Sequence, residues 1–286
     1  MGIVTARSVG EARKRTYDGA VDNRPIGFFD SGVGGLTIWR ATRKLLPQES
    51  LVFLADSGHV PYGKKSPAEL RELTGRIVRF LLGQDVKMVV VACNTATVHA
   101  IGHLRQTFPQ IPFVGVVPVV KTLARRTRTG TIAVLSTPAT AASPYLAGLI
   151  EEFAPDKRVI NIGCDGLEDM VEDGDVRSGK TTALLERYLA PVRESGADVA
   201  GLGCTHYPFL RQRIKRLLGP RVRLYDPSRP VARRARQVLA ERGALAQNTS
   251  PSYRFFTTGD PKVFARVASK LLRLPVRDVG YVELEP

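Results

Sequence analysis

The chain has 286 residues, 43% hydrophobic and 24% charged, with a formal net charge of +15. Its length suits two α/β lobes, its three cysteines (Cys93, Cys164 and Cys204) are too few for a disulfide framework and point to a reducing compartment, and no apolar run approaches membrane-spanning length. The positive surplus predicts attraction to polyanions and says nothing about fold.

Residues 1–23 hold Arg7, Arg13, Lys14 and Arg15 without an apolar segment, so they read as a loose basic tail rather than a secretory signal, which leaves the cytoplasm as the expected location. Ile26 to Asp30 then reads as a strand ending in a carboxylate, followed by the glycine-rich turn Ser31-Gly32-Val33-Gly34-Gly35 and a helix from Leu36 to Leu46 that Pro47 closes. Leu51 to Leu54 is a second strand ending at Asp56-Ser57, and Val60-Pro61-Tyr62-Gly63 is a loop. Ser66-Pro67-Ala68-Glu69 carries an N-cap, a proline at the first helical position and a reciprocal glutamate; Leu70, Leu73, Ile77, Phe80 and Leu81 follow at helical spacing.

The stretch from Met88 to Ala100 changes abruptly from an apolar, β-branched run to Cys93-Asn94-Thr95 and then to small residues that open a helix bearing His99 and His103. A buried parallel strand whose carboxyl end carries chemistry has this form. A cysteine beside a helix N-terminus is placed where a thiolate is favoured, although a lone buried cysteine is more often a small core residue. The chain continues with a strand at 113–117, a crossing at Pro118, strands at 131–135 and 158–162, a helix from Ser143-Pro144 to Phe153, and a helix from Thr181 to Ser195. Asp198 to Gly203 is a strand ending in Cys204-Thr205-His206; a helix over 208–218, a strand over 222–225, a helix over 230–242, a strand over 253–257, a helix over 261–272 and a short strand near Val282 complete the chain. Strands alternating with helices predict an α/β fold with mainly parallel sheets flanked by helices. The echo between Cys93-Asn94-Thr95 and Cys204-Thr205-His206 predicts two similar lobes, each offering one cysteine to a shared cleft.

The residues at strand ends include two thiols, a carboxylate, an imidazole and several small donors, but no lysine for a pyridoxal Schiff base. No zinc-ligand spacing is present; Cys204 and His206 are expected to point apart on an extended segment unless the backbone turns. Two thiols suit inversion of a stereocentre by proton transfer, one as base and the other as acid, with Asp30 and His206 able to shuttle or tune the protons. Donors at Asn94, Thr95 and Thr205 would hold a carboxylate and a planar intermediate.

The segments FFDSGVGGL (28–36), VPYGKKSP (60–67), VVVACNTAT (89–97) and GLGCTHYPFL (201–210) resemble the four signature blocks of bacterial glutamate racemases, a likeness that continues through LYDPS (224–228) and FFTTGDPKVF (255–264). The resemblance implies a cofactor-independent enzyme interconverting L- and D-glutamate for peptidoglycan, with Cys93 and Cys204 as acid/base residues, Asp30 assisting Cys93, and His206 with Glu172 assisting Cys204. It implies Asp30, Ser31, Tyr62, Gly63, Asn94, Thr95, Thr137, Thr205 and His206 as substrate contacts, and a discontinuous first lobe of 24–118 with 227–286 around a second lobe of 119–226. An aspartate or hydantoin racemase of the same superfamily is the alternative. The sequence departs from the family's usual pattern at Ser57-Gly58-His59, at Val119-Val120 and at Cys164-Asp165, none of which removes a catalytic group.

Four features have bland readings. Cys164 reads as buried filler, and Glu172 lies in an acidic run that by composition alone is a solvated face. The stretch from Gly174 to Thr181 has P-loop spacing, but it follows acidic residues where a P-loop follows a hydrophobic strand, so nucleotide binding is not expected. Residues 211–236 contain ten Lys or Arg against the single acid Asp226. This is a solvated arginine-rich surface or a polyanion-binding face; some glutamate racemases bind DNA gyrase, so a gyrase or nucleic-acid partner is the implied alternative role. The family also includes monomers and homodimers.

Overall fold

Short apolar runs alternate with amphipathic helices through both halves of the chain, and the central runs of each half become strands buried along their whole length. The structure, a computed structural model, describes residues 21–116 and 119–285. These divide into two compact units, one drawn from Met1–Val116 with Ser228–Pro286 and the other from Val117–Pro227. Most of the basic tail and the crossing at Pro118 lie outside the described residues. Asp22, at the end of the expected tail, is buried and pairs with Arg24 at 2.9 Å.

In chain order the first unit begins with β1 (Ile26–Asp30), α1 (Leu36–Leu45), β2 (Leu51–Ala55), α2 (Pro67–Gly83), β3 (Met88–Val91), α3 (Asn94–Thr107) and β4 (Phe113–Gly115). The second unit follows as α4 (Val120–Arg126), β5 (Thr131–Ser136), α5 (Pro138–Ala141), α6 (Pro144–Phe153), β6 (Arg158–Gly163), α7 (Leu167–Glu172), α8 (Gly179–Glu194), β7 (Val199–Leu202), α9 (Arg211–Leu218) and β8 (Arg223–Tyr225). The chain then returns to the first unit with α10 (Ser228–Glu241), β9 (Tyr253–Thr257), α11 (Pro261–Leu272) and β10 (Gly280–Tyr281).

The first sheet has six strands in the order β10-β9-β2-β1-β3-β4 and the second has four in the order β6-β5-β7-β8, with parallel pairing throughout. Parallel pairing gathers all the strand carboxyl ends of a sheet along one edge, where ligand sites of open α/β sheets form. In the first unit β1, β2 and β3 are buried along their whole length, as strands covered on both faces must be. Burying each Phe or Leu side chain there contributes about 1.5–3 kcal/mol. Trp39 of α1 meets Tyr253 edge-on at 5.5 Å and Phe255 at 5.2 Å, which fastens the returning β9 to the first helix. At the amino edge of this sheet, Lys87 Nζ pairs with Glu49 Oε2 at 2.7 Å and donates to the carbonyls of Asp22 and Ala244; both side chains are almost fully buried.

The capping box forms as its spacing predicts: Glu69 N–H donates to Ser66 Oγ, Ser66 N–H donates to the Glu69 carboxylate, and Leu70, Leu73, Ile77, Phe80 and Leu81 form the buried face. Differences from the expected elements have local causes. Helices α4, α5 and α7 have seven, four and six residues, too short for a periodic signal. The helix expected over 208–218 starts as a tight 3₁₀ turn, Tyr207–Leu210, before α9. The P-loop-like stretch is a helix cap: Ser178 Oγ accepts the Thr181 N–H at 3.1 Å to start α8. Val119 and Val120 pack into the core of the second unit. A side chain at Gly201 of β7 would overlap Val119, so the glycine makes room for the valine. The last short strand lies at Gly280–Tyr281, just before Val282.

Candidate active site

In the first unit, Asp30 is the last residue of β1 and is fully buried. Its Oδ2 accepts the N–H of Gly35 at 2.8 Å, at the start of α1, where the helix dipole favours a negative charge. Gly35 is required for this approach, because an added Cβ would lie 2.7 Å from the Asp30 Cβ. Just past the neighbouring β3, Cys93 takes the N-cap position of α3 with extended backbone, φ −124° and ψ 126°. Its sulfur accepts the Ala96 N–H at 3.4 Å and lies 4.0 Å from Ser31 Oγ. This is the placement expected for a sulfur that carries charge during a reaction.

Asn94 and Thr95, the first residues of α3, are buried beside it. Both polar atoms of the Asn94 amide are buried without a hydrogen-bond partner among the described residues. A buried amide left so costs about 1–3 kcal/mol for each unmade bond, a cost that a bound polar ligand would remove. Tyr62 is buried within a short 3₁₀ turn, Tyr62–Lys64, with Gly63 exposed next to it. Burial, and then the adjacent Asp56 carboxylate, push the Tyr62 phenol well above its ordinary pKa, so it remains a donor. The first unit therefore gathers Asp30, Ser31, Tyr62, Cys93, Asn94 and Thr95 at one sheet edge.

Sequence reasoning gave no role to Asp56. This residue follows β2, is fully buried, and accepts bonds from Tyr62 Oη and Thr258 Oγ1, both at 2.7 Å, with His59 Nδ1 also at 2.7 Å. The departure at 57–59 thus puts a histidine onto the carboxylate that holds Tyr62. A signal was present: Asp56-Ser57 repeats, at the end of β2, the Asp30-Ser31 that ends the adjacent β1.

In the second unit, β7 ends at Leu202 and the Gly203 N–H donates to Leu135 O at 2.6 Å. The backbone then turns, with His206 helical at φ −74° and ψ −35°. Residues two apart on an extended segment share a face about 7 Å apart, so the expectation that these two point apart does not hold, and the turn draws them closer still: Cys204 Sγ lies 3.5 Å from His206 Nδ1. His206 Nε2 lies 2.6 Å from Glu172 Oε1, so carboxylate, imidazole and thiol form one line. The acidic run is therefore not simply a solvated face, since Leu167, Met170 and Val171 of α7 are buried and Glu172 points inward at the histidine.

Burial raises the Cys204 thiol pKa and His206 offsets part of that rise, leaving it above the ordinary value. For His206, burial acts downward, but Cys204 and Glu172 outweigh it and hold the imidazole protonated well above its usual range. Thr205 is buried between them in sequence. Thr137 caps the short α5, accepting the Thr140 N–H, and the preceding Ser136 has a buried hydroxyl with no hydrogen-bond partner among the described residues. Cys164 is buried, and its backbone carbonyl accepts from Tyr207 Oη at 3.0 Å. Burial keeps its thiol far above the ordinary value, consistent with a packing role.

The basic stretch 211–236 is split between two uses. Arg211 bonds Asp226 and Leu224 O, Arg213 bonds Thr182 and Arg177 O, and Arg223 bonds Asp198 and Arg126 O, so these three tie the second unit together. Arg229, Arg233, Arg234 and Arg236 are exposed on α10, opposite the buried Val231, Ala232, Ala235 and Leu239. Among the described residues no cluster of three or more His, Cys, Asp or Glu is arranged to hold a metal, and no helix is long and apolar enough to cross a membrane.

Residues 37–235 match the family model described as Asp/Glu/Hydantoin racemase. A glutamate racemase from Roseiflexus sp. (strain RS-1) is 45% identical over 250 residues, 87% of this chain and 92% of the relative. The crystal structure of glutamate racemase isoform RacE1 from Bacillus anthracis matches with a TM-score of 0.83 and 32% identity, covering 92% of this chain and 98% of that one. A glutamate racemase from Francisella tularensis, solved in complex with D-glutamate, matches with a TM-score of 0.81 and 32% identity over 93% of this chain and 99% of that one.

Proposed function

The chain belongs to the Asp/Glu/Hydantoin racemase family, and from that premise we propose that it is a glutamate racemase working by two-cysteine proton transfer. The observation that carries the reading is that each unit holds, at the carboxyl edge of its own parallel sheet, a buried thiol with a polar partner: Cys93 by Ser31 and the start of α3, Cys204 by His206. One thiolate removes the α-proton of glutamate and becomes a thiol. The other thiol gives a proton to the opposite face of the planar carbanion and becomes a thiolate. The opposite enantiomer reverses the roles, so no external oxidant, reductant or cofactor enters the balance. His206, backed by Glu172, relays the proton at Cys204, and Asp30 serves Cys93.

In this reading Ser31, Tyr62, Gly63, Asn94, Thr95, Thr137, Thr205 and the two acid–base partners Asp30 and His206 hold the amino acid. The unpartnered Asn94 amide is the group best placed to take its polar ends. Glutamate is preferred to aspartate or a hydantoin because the relatives above 40% identity are named for it. We place the enzyme in the cytoplasm, supplying D-glutamate for peptidoglycan; three buried free cysteines fit a reducing compartment.

Incubation with L-glutamate in D2O, followed by proton NMR and circular dichroism, is expected to show the α-proton signal and the optical signal decaying together. Decay with L-aspartate or a hydantoin but not with glutamate would keep the family and replace the substrate.

A second reading is favoured by the four exposed arginines on α10. That face is proposed to bind nucleic acid, alone or presented by gyrase, independently of the thiols. Affinity for duplex DNA should fall steeply between about 50 and 200 mM salt and drop when Arg233 and Arg234 become Ala. No binding at low salt, or binding indifferent to salt, removes this role.

A further inference from the structure

Helix α7 carries two glutamates on one face, and only Glu172 has a place in the scheme above. Glu168 lies four residues before Glu172, so it projects from the same face one turn nearer the helix start. That side of the helix is the one on which Glu172 reaches His206. Glu168 Oε2 is buried and has no hydrogen-bond partner among the described residues. A carboxylate oxygen can accept two bonds, and native structures rarely bury one without any. A half-buried acid whose inner oxygen is unused, one turn from the group that grips the imidazole, is therefore not explained by stability.

Its electrical surroundings fit the same picture. Burial holds the Glu168 proton to higher pH than an ordinary carboxyl, against the pull of His206. Asp169 and Asp165, on its own side, push in the same direction as burial. From the adjoining turn and the end of β6, Cys204, Tyr207 and Cys164 each feel Glu168 as a negative charge. From α8, Tyr188 approaches through its bond to Asp165 O. His206 is the positively chargeable partner of Glu168 among these groups.

We propose that Glu168 is a positioning residue of the Cys204 half-site, a second carboxyl that keeps the Cys204–His206 pair in its more protonated state to a higher pH. The inference rests on the reading that Cys204 is an acid–base residue. Two carboxyls around one imidazole favour imidazolium over imidazole, and a negative charge beside the sulfur favours thiol over thiolate. The pair is thus poised to deliver a proton, and the direction of turnover in which Cys204 acts as base needs the higher pH.

The test is a pH titration of the His206 ring by NMR in the full-length protein, with the signal assigned by its loss in His206→Gln. Rates of L-to-D and D-to-L conversion are measured against pH in parallel. In Glu168→Gln the ratio of neutral to protonated His206 at the wild-type midpoint pH should rise at least about 3-fold, half a pH unit. The same titration is the acid limb of the direction that uses Cys204 as base and the alkaline limb of the direction that uses it as acid, so both limbs should move to lower pH together. Glu168→Asp, which keeps the charge at shorter reach, should fall between the two and serves equally if the Gln variant does not fold. An unchanged His206 titration in both variants overturns the proposal. A shifted titration in a protein that never racemises glutamate upholds the role of Glu168 and overturns the racemase reading instead.

Discussion

Cys93→Ser and Cys204→Ser are each expected to lower glutamate racemisation by about 10²–10⁴-fold, the usual worth of a positioned acid or base. A serine hydroxyl is far too weak an acid to give a useful alkoxide near neutral pH. The loss should be chemical rather than structural at Cys93, because the sulfur caps α3 by accepting the Ala96 N–H and serine is among the best residues for that task. The two variants should also fail differently. Each retains one thiol that can still take an α-proton, so in D2O each should exchange the α-hydrogen of one enantiomer without inverting it, and the enantiomer should differ between the variants. Time courses of deuterium incorporation beside circular dichroism check this. If both variants exchange the same enantiomer, or either racemises at the wild-type rate, the two-base scheme is wrong.

Lys87→Met is expected to cost about 3–5 kcal/mol of stability, the usual cost of leaving one member of a buried ion pair alone. The methionine stem fills the same space but leaves the Glu49 carboxylate without its cation and the carbonyls of Asp22 and Ala244 without their donor. Urea denaturation at pH 7 measures the loss. The double variant Lys87→Met/Glu49→Gln should recover much of it, since glutamine keeps an oxygen for the Ala246 N–H that Glu49 Oε1 now accepts and carries no charge. A single variant as stable as the wild type would show that the pair is not a clamp. Because Lys87 precedes β3 while Cys93 follows it, kcat and KM of the folded variant should be unchanged.

What could be read in the sequence depended on how far apart the partners are along the chain. The strand-to-helix switch at Cys93 was legible because the cap, the strand and the small residues are adjacent. So was the Ser66–Glu69 box, three residues across. The Cys204–His206 contact was misread: residues two apart on a strand share a face but stand about 7 Å apart, and it is the turn after Leu202, invisible to an alternation pattern, that closes them to contact. Glu172 reached the site through likeness to a family, not through pattern: six residues of α7 carry too few apolar positions to separate an inward face from an acidic run. Lys87–Glu49 and Asp56–Thr258 were beyond pattern altogether, since a charged residue next to a strand gives no hint of a partner elsewhere in the chain.

The bond from Thr258 to Asp56 spans 202 residues. It joins the loop after β9 to the carboxylate that holds Tyr62, and β9 is the strand that lies against the outer side of β2. On the ribosome, where domains fold as units when their residues emerge, the unit begun first is therefore the one finished last. The second unit is contained in Val117–Pro227 and can close while β2 still waits for its neighbour. Until Tyr253–Thr257 is made, the nascent chain carries an unpaired apolar edge, the kind of template on which chains aggregate. The late segment thus does two things in a single step: it covers that edge and it locks the Tyr62 turn into its working shape.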